Sequence, residues 1–387
     1  MMRSADFCRI LNHLSLSDSQ SSYMLESILG ITLVTLVLFD VFQTIVVPRV
    51  SPRTFRIAPI LLGDVLWPPF RRLMRWKPMA PYSRELLDSF APVVFVALML
   101  VWLLLLTLGF ALTIYSLRLN VTPMINSFWE AYYFAGTSVL TLGFGDVVAL
   151  GVKARFVVLS AATCGLLFMA LAVSYLFSLQ SLVQQREQLV NTVISRAGAP
   201  ASGLVIMLRY KELNILPVLY TNFLQWEGWI AGILESHRAY PMLLYFRSSN
   251  NTDSWLSVVG AMLDASSLIV TTIKDVSHGE AELFYWLACS TVKAICSYFR
   301  LSVVNDETLT FEQFKAGIEL LKDAGYTVAD PEFAWKLFKV RRTGYLPYIR
   351  ALSEHFLLPR QTWLHELAIS QISVKDSVED SVFQPQV

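Results

Sequence analysis

Two stretches of this chain, 90–117 and 156–183, contain no Asp, Glu, Lys or Arg. A helix rises 1.5 Å per residue, so either stretch exceeds the roughly 30 Å of a bilayer's hydrocarbon core. No water is present there to take up backbone N–H and C=O groups, so a segment of this composition must satisfy them internally and be helical. A third run, 28–47, carries Asp40 as its one ionisable group. Composition agrees, since 387 residues at 55% hydrophobic, 16% charged and a mean hydropathy of +0.50 hold more apolar surface than one soluble core needs. The first run also invites reading as a cleaved signal. It ends in "VVPRV", with Pro48 and Arg49 and no small-residue cleavage pattern, which favours an anchor.

The 31 basic and 30 acidic residues nearly cancel, which gives no pull toward nucleic acid, and charge is informative only loop by loop. Arg49, Arg53, Arg56, Arg71, Arg72, Arg75, Lys77 and Arg84 fall between the first two spans, whereas the connection after the second holds only Arg118, Lys153 and Arg155 at its edges. Basic residues stay on the cytoplasmic side, so segment 48–89 and everything after the third span are expected inside, and 1–27 and the second connection outside. The expectation is a multi-pass protein of the inner (plasma) membrane. "FRIAPILLGDVLWPPFRRLMRWKP" mixes aromatics with arginines and prolines and is expected at the lipid headgroups. Arg72 and Arg75 make a single three-residue step, too little for a voltage sensor.

Between the second and third spans stands "NSFWEAYYFAGTSVL", 126–140, which reads as a short helix with Asn126 or Ser127 as its cap and Glu130 in its first turn. It is too short to cross a bilayer and runs into the glycine-rich "TLGFGD", 141–146. Irregular backbone is tolerated at membrane depth only inside protein or beside a water-filled cavity, so a re-entrant loop is expected.

Thr141-Leu142-Gly143-Phe144-Gly145-Asp146 resembles the Thr-Val-Gly-Tyr-Gly-Asp selectivity filter of potassium channels, with Leu for Val and Phe for Tyr. "FWEAYYF" resembles that family's aromatic pore helix, and "LFDVFQTIVVPR" is similar to the start of bacterial members that carry one extra N-terminal helix. The resemblance implies an all-α membrane protein with a pore-loop channel fold. Its parts would be an extra transmembrane helix 28–47, an outer helix 90–117, a pore helix 126–140, a filter 141–146 and an inner helix 156–185. It also implies K+ held by the carbonyls of Thr141, Leu142, Gly143 and Phe144, Asp146 at the outer mouth, and apolar packing of Phe144, in register with Phe134. Thr137 stands where some members carry a carboxylate. A filter ring takes four loops and this chain offers one, so a homotetramer is expected. No cofactor is implied beyond the permeant ion.

Gly165 falls where the family's inner helix carries a hinge glycine, and it serves close helix packing equally well. Leu166, Met169 and Val173 would then line the cavity. Asp40, with Gln43 on the same helical face, is expected in a structural ion pair or hydrogen-bond cluster rather than as a sensor.

Residues 186–203 read as a linker, after some prolongation of the third helix. Apolar residues at helical spacing over 204–374 predict a helical cytoplasmic domain, and 375–387 a disordered tail. "WLSVVGAMLDASSLIVTTI" is expected as a buried core helix because of Asp264 and its serines. No dinucleotide-binding glycine motif occurs, so any regulatory ligand or protein of this domain is unidentified. The cysteines (Cys8, Cys164, Cys289, Cys296) match no metal or redox spacing and are expected to be buried thiols. The histidines (His13, His237, His278, His355, His365) form no metal or triad pattern, and nothing points to an enzyme. A potassium-selective channel is therefore the leading expectation. A non-conducting receptor or scaffold and a weakly selective cation channel remain as alternatives.

Overall fold

The computed structural model describes residues 4–47, 57, 60–76, 83–248, 253–303 and 309–358. Arg49, Arg53, Arg56 and Lys77 of the basic segment, and everything from 359 on, including His365 and the tail 375–387, lie outside them. The chain divides into two units, 1–179 and 180–387.

In the first unit α1 (Ser4–Ile45), α2 (Trp67–Met74), α3 (Ser83–Ser116) and α4 (Phe128–Val139) precede α5 (Val152–Ala197), which runs on into the second unit. Three stretches, Ser21–Ile45, Arg84–Ser116 and Val152–Ala197, are long and apolar enough to cross a membrane. Each helix outruns the apolar run that marks it. No Gly or Pro occurs between Ser4 and Ile28, so α1 begins well before the expected start at 28 and takes up most of the segment expected as a separate N-terminus. Likewise α3 starts at Ser83, with Pro92 accommodated inside it, and α5 continues to Ala197, reducing the expected linker to 198–202.

One face of α3 is buried at Ala91, Val94, Leu98, Trp102, Leu106 and Ile114, a spacing of three to eight residues that keeps one side of the helix inward. Its ring contacts reach α5: Phe95 stacks on Tyr175 at 5.9 Å, and Trp102 meets Phe168 edge-on at 6.4 Å. Val93, Val96, Leu100 and Leu104 are left exposed on the other side. So continuous an apolar face suits hydrocarbon or another protein surface, not water.

Against α3 lies α1, brought close by small residues. A Cβ on Gly30 would meet the Gly109 carbonyl at 2.6 Å, and one on Gly109 would meet the Val34 side chain at 2.7 Å. Such pairs let helices approach where the hydrophobic effect gives no drive. At the end toward Ser116, Arg118 bonds Glu26 at 2.9 Å and lies over the Tyr23 and Tyr115 rings, each at 4.2 Å. α2 places Trp67 and Phe70 on Phe90 of α3 and leaves Arg72, Arg75 and Trp76 exposed. Pro68 and Pro69 sit in its first turn, where a missing N–H costs nothing.

The second unit is built from α6 (Gly203–Glu212), α7 (Leu216–Ala239), α8 (Trp255–Thr271), α9 (Gly279–Tyr298), α10 (Phe311–Asp323), α11 (Pro331–Thr343) and α12 (Leu346–Phe356). The apolar α8 is its core helix, contacted by α6, α9, α11 and α12 and buried throughout except at Val270. A reciprocal Ser254–Ser257 cap starts it. Its carboxylate, Asp264, accepts from Arg342 Nε at 3.2 Å and from the Tyr345 hydroxyl. Burial, and after it the Asp264 charge, pushes the Tyr345 phenol well above its usual range. Arg186 of α5 is likewise buried, with Nη1 and Nη2 on the Leu243 and Phe246 carbonyls at 3.1 and 2.8 Å and its guanidinium on Glu187. Cys289 and Cys296 are buried free thiols and Cys164 is half-buried, so the first two match the expectation more closely than the third.

Candidate functional site

The expected short helix is present as α4. Ser127 caps it, its hydroxyl accepting from Glu130 N, while Glu130 Oε2 accepts from Asn126 N at 2.8 Å. One orphan donor of the helix start, and the amide just before the cap, are thereby satisfied. β1 (Val121–Thr122) and β2 (Val148–Ala149) pair antiparallel on either side of the loop, Val121 opposite Ala149, and hold its two ends together.

At the other end of α4 the chain turns sharply. Leu140 N donates to Gly136 O at 2.9 Å and Thr141 N to Ser138 O at 3.0 Å, while the Thr137 carbonyl takes both Leu142 N (2.8 Å) and Gly143 N (3.4 Å). Thr137 is buried, and its hydroxyl bonds the Phe134 carbonyl, so this residue ties the following segment to α4 through its main chain. Thr141 (φ +57°), Gly143 (+57°) and Gly145 (+78°) are left-handed, every second residue from 141 to 145. Glycine adopts that region freely, whereas a β-branched threonine there is an outlier costing on the order of 1–3 kcal/mol. The Thr141 hydroxyl donates to Leu140 O at 2.7 Å.

All six residues 141–146 are exposed on the single chain, Leu142 at 53% and Phe144 at 66%. Phe134, by contrast, is buried in the core of the first unit. Its neighbour reaches the segment instead: Tyr133 donates its hydroxyl to Asp146 Oδ2 at 2.9 Å. Sequence reasoning passed over Tyr133, although a tyrosine thirteen residues before the acidic position was a visible donor.

Gly165 lies where α5 passes the end of α4, and a Cβ there would fall 1.8 Å from the Val139 carbonyl oxygen. Its helix runs through that position without a break. Leu166, Met169 and Val173 are exposed on the single chain, on faces away from the buried Ala161, Phe168 and Tyr175. Asp40 is buried at 4% exposure, Oδ2 accepting from the Trp102 indole at 2.7 Å and Oδ1 from Ile57 N at 2.9 Å. Gln43 is half-buried one turn further on. Trp102 was not singled out in the sequence, yet it is an indole donor in a span that is otherwise almost wholly apolar. Among the described residues no group of three or more His, Cys, Asp or Glu could hold a metal ion.

Residues 100–180 match the ion-channel family model. The match takes in the second half of α3, all of α4, the segment 141–146 and the length of α5 up to Gln180. It supports ion conduction as the activity class and a membrane location. α1 and the second unit beyond Gln180 lie outside the matched ion-channel segment. No similar curated protein and no similar solved structure was found.

Proposed function

We propose that the protein is a potassium-selective channel of the inner (plasma) membrane, passive in mechanism and assembled from four copies around one pore. The observation that carries this reading is the left-handed backbone at every second residue of Thr141-Leu142-Gly143-Phe144-Gly145. In a strand, carbonyls alternate between opposite sides. A regular change of backbone hand turns successive peptide planes so that carbonyls gather on one side instead. Four such edges facing one axis would replace the water around a dehydrated cation. Gly143 and Gly145 permit the angles, and Thr137 O anchors the segment to α4.

The remaining assignments follow from this one. Phe144 and Leu142 stand exposed on a single chain and would be covered by neighbouring copies. Leu166, Met169 and Val173 would line the cavity below the filter, with basic segment 48–89 inside. α5 would carry the gate, with the helical second unit responding to a ligand or protein partner.

The test is K+ against Na+ flux into liposomes holding the purified full-length protein, beside Gly143→Asp. Potassium-selective flux that disappears in the variant is the expected result. Flux that does not distinguish the two ions would overturn the selectivity assignment. Absence of flux from inserted tetramers, even with variants of the α5 cavity that favour opening, would overturn conduction and leave a receptor or scaffold.

A further inference from the structure

The chain carries a buried carboxylate that the conduction reading does not use. α1 is already joined to α3 by the Gly30–Gly109 approach, by buried Val37 and Val41, and by Glu26–Arg118 near the far end. As adhesive, Asp40 would be a poor choice, since a charge in a low-dielectric site is expensive to desolvate. Direction is what it adds. Its oxygens accept from the Trp102 indole on α3 (Oδ2) and from the Ile57 amide, between α1 and α2 (Oδ1).

The indole it holds is fully buried and presents its ring to Phe168 of α5, at 6.4 Å and 88°. Edge-to-face pairs depend on ring orientation, so a tryptophan with a fixed N–H fixes where the Phe168 ring can sit. Phe168 lies three residues from Gly165, where α5 touches the Val139 carbonyl behind the segment 141–146. The sequence of contacts is thus Ile57, Asp40, Trp102, Phe168, each made by a hydrogen bond or a buried ring.

We propose that Asp40 is a positioning residue for α5: by fixing the Trp102 ring it sets the seat of Phe168, so that the segment at Ile57 and the pore-lining helix move together. The gating consequence rests on the conduction reading, whereas the packing consequence does not. A carboxylate acting only as glue between α1 and α3 would leave α5 unaffected when removed, and this separates the two roles.

The test uses the full-length protein with Asp40→Asn, Trp102→Phe, the double variant, and Glu26→Gln as a control at the other α1–α3 contact. Asparagine is isosteric, and phenylalanine keeps a ring against Phe168, so at least one of the two is expected to fold. Amide hydrogen exchange of the peptide around Phe168 should rise about five-fold or more in each single variant, with no further rise in the double variant and none in Glu26→Gln. In liposomes the open fraction should change by a similar factor at an unchanged K+/Na+ reversal potential. Exchange increases confined to α1 and the Ile57 segment, or effects of the two substitutions that simply add, would overturn the proposal. Wild-type protein that does not conduct would sink the conduction reading, and the exchange measurement would still decide the role of Asp40.

Discussion

Replacing Gly165 by alanine separates two readings that predict opposite signs. A hinge glycine in a helix costs about 1 kcal/mol relative to alanine, so Gly165→Ala at a hinge would stiffen α5 and raise stability. The structure places the new methyl 1.8 Å from Val139 O and 2.7 Å from its carbonyl carbon, whereas Cβ atoms essentially never come within 3.0 Å of a neighbour. The helices must therefore part by more than an ångström, and the atom in the way belongs to backbone that cannot rotate aside. Overpacking of this kind costs roughly 1–3 kcal/mol or more, which outweighs the gain in propensity. Val139 ends α4, and Thr141 follows two residues later, so the displacement is passed to the segment proposed as filter. Thermal unfolding in detergent should show a lowered midpoint, and reconstituted protein a K+/Na+ reversal potential shifted toward non-selectivity. A Gly165→Ala protein as stable as wild type, with its selectivity intact, would refute the packing argument.

Tyr133→Phe removes the donor to Asp146 and should hasten the decay of K+ flux while leaving assembly intact; an unchanged decay would mean that the bond does not brace the mouth. Arg342→Met takes the ion-pair partner from buried Asp264 and should lower unfolding stability by about 3–5 kcal/mol in denaturant titration, with much of the loss recovered when Asp264 is also made apolar. His237 is buried, and burial first, then the charge of Arg186, pushes its imidazole down to about 3. Above pH 6.5 both folded and unfolded chains hold it neutral; below, only the unfolded chain takes the proton. Stability should then fall by about 1.4 kcal/mol per pH unit on acidification from 6.5, an increment that His237→Gln removes in denaturant midpoints measured from pH 7 to 5.

What the sequence revealed was what depends on local composition. Charge-free runs mark α3 and α5, and Ser127 with Glu130 marks the start of α4 within two residues of the expected 126. The helix before Ile28 was not legible, because that polar stretch forms helix without any change in hydropathy to signal it, whereas the prolongation after 185 was expected, ahead of the small residues from Ala197 on. Asp264 did distinguish α8 from a fourth span. Most of its 17 residues are apolar, and the carboxylate is matched by Arg342 from a helix far along the chain. Which residue answers a buried charge is a fact of the fold. Asp40 was expected in a structural ion pair or hydrogen-bond cluster, and the donors that the structure gives it include an indole 62 residues away and a main-chain amide, neither of which its own helix could name. In the same way, hinge and packing at Gly165 differ only in whether another backbone lies within reach, which spacing along one helix does not contain.

The left-handed Thr141 bears on assembly. Strain of on the order of 1–3 kcal/mol persists only where the surroundings fix the backbone more firmly than its own preference would. Within one chain that fixing is thin: the Thr137 carbonyl holds two amides on one side, and Tyr133 reaches Asp146 at the mouth. On the other side a Cβ built on Gly143 or Gly145 would meet nothing within 4 Å, and Leu142 and Phe144 project into open space. An isolated chain would be expected to relax such a segment. Its conformation becomes economical if the exposed residues are packed by neighbouring copies and the carbonyls share a cation. Assembly and ion occupancy would then stabilise the same backbone, and tetramers should be more resistant to dissociation in K+ than in Na+ by the free energy of binding to that shared site. Equal resistance in the two ions would mean that the strained segment is held by protein contacts alone.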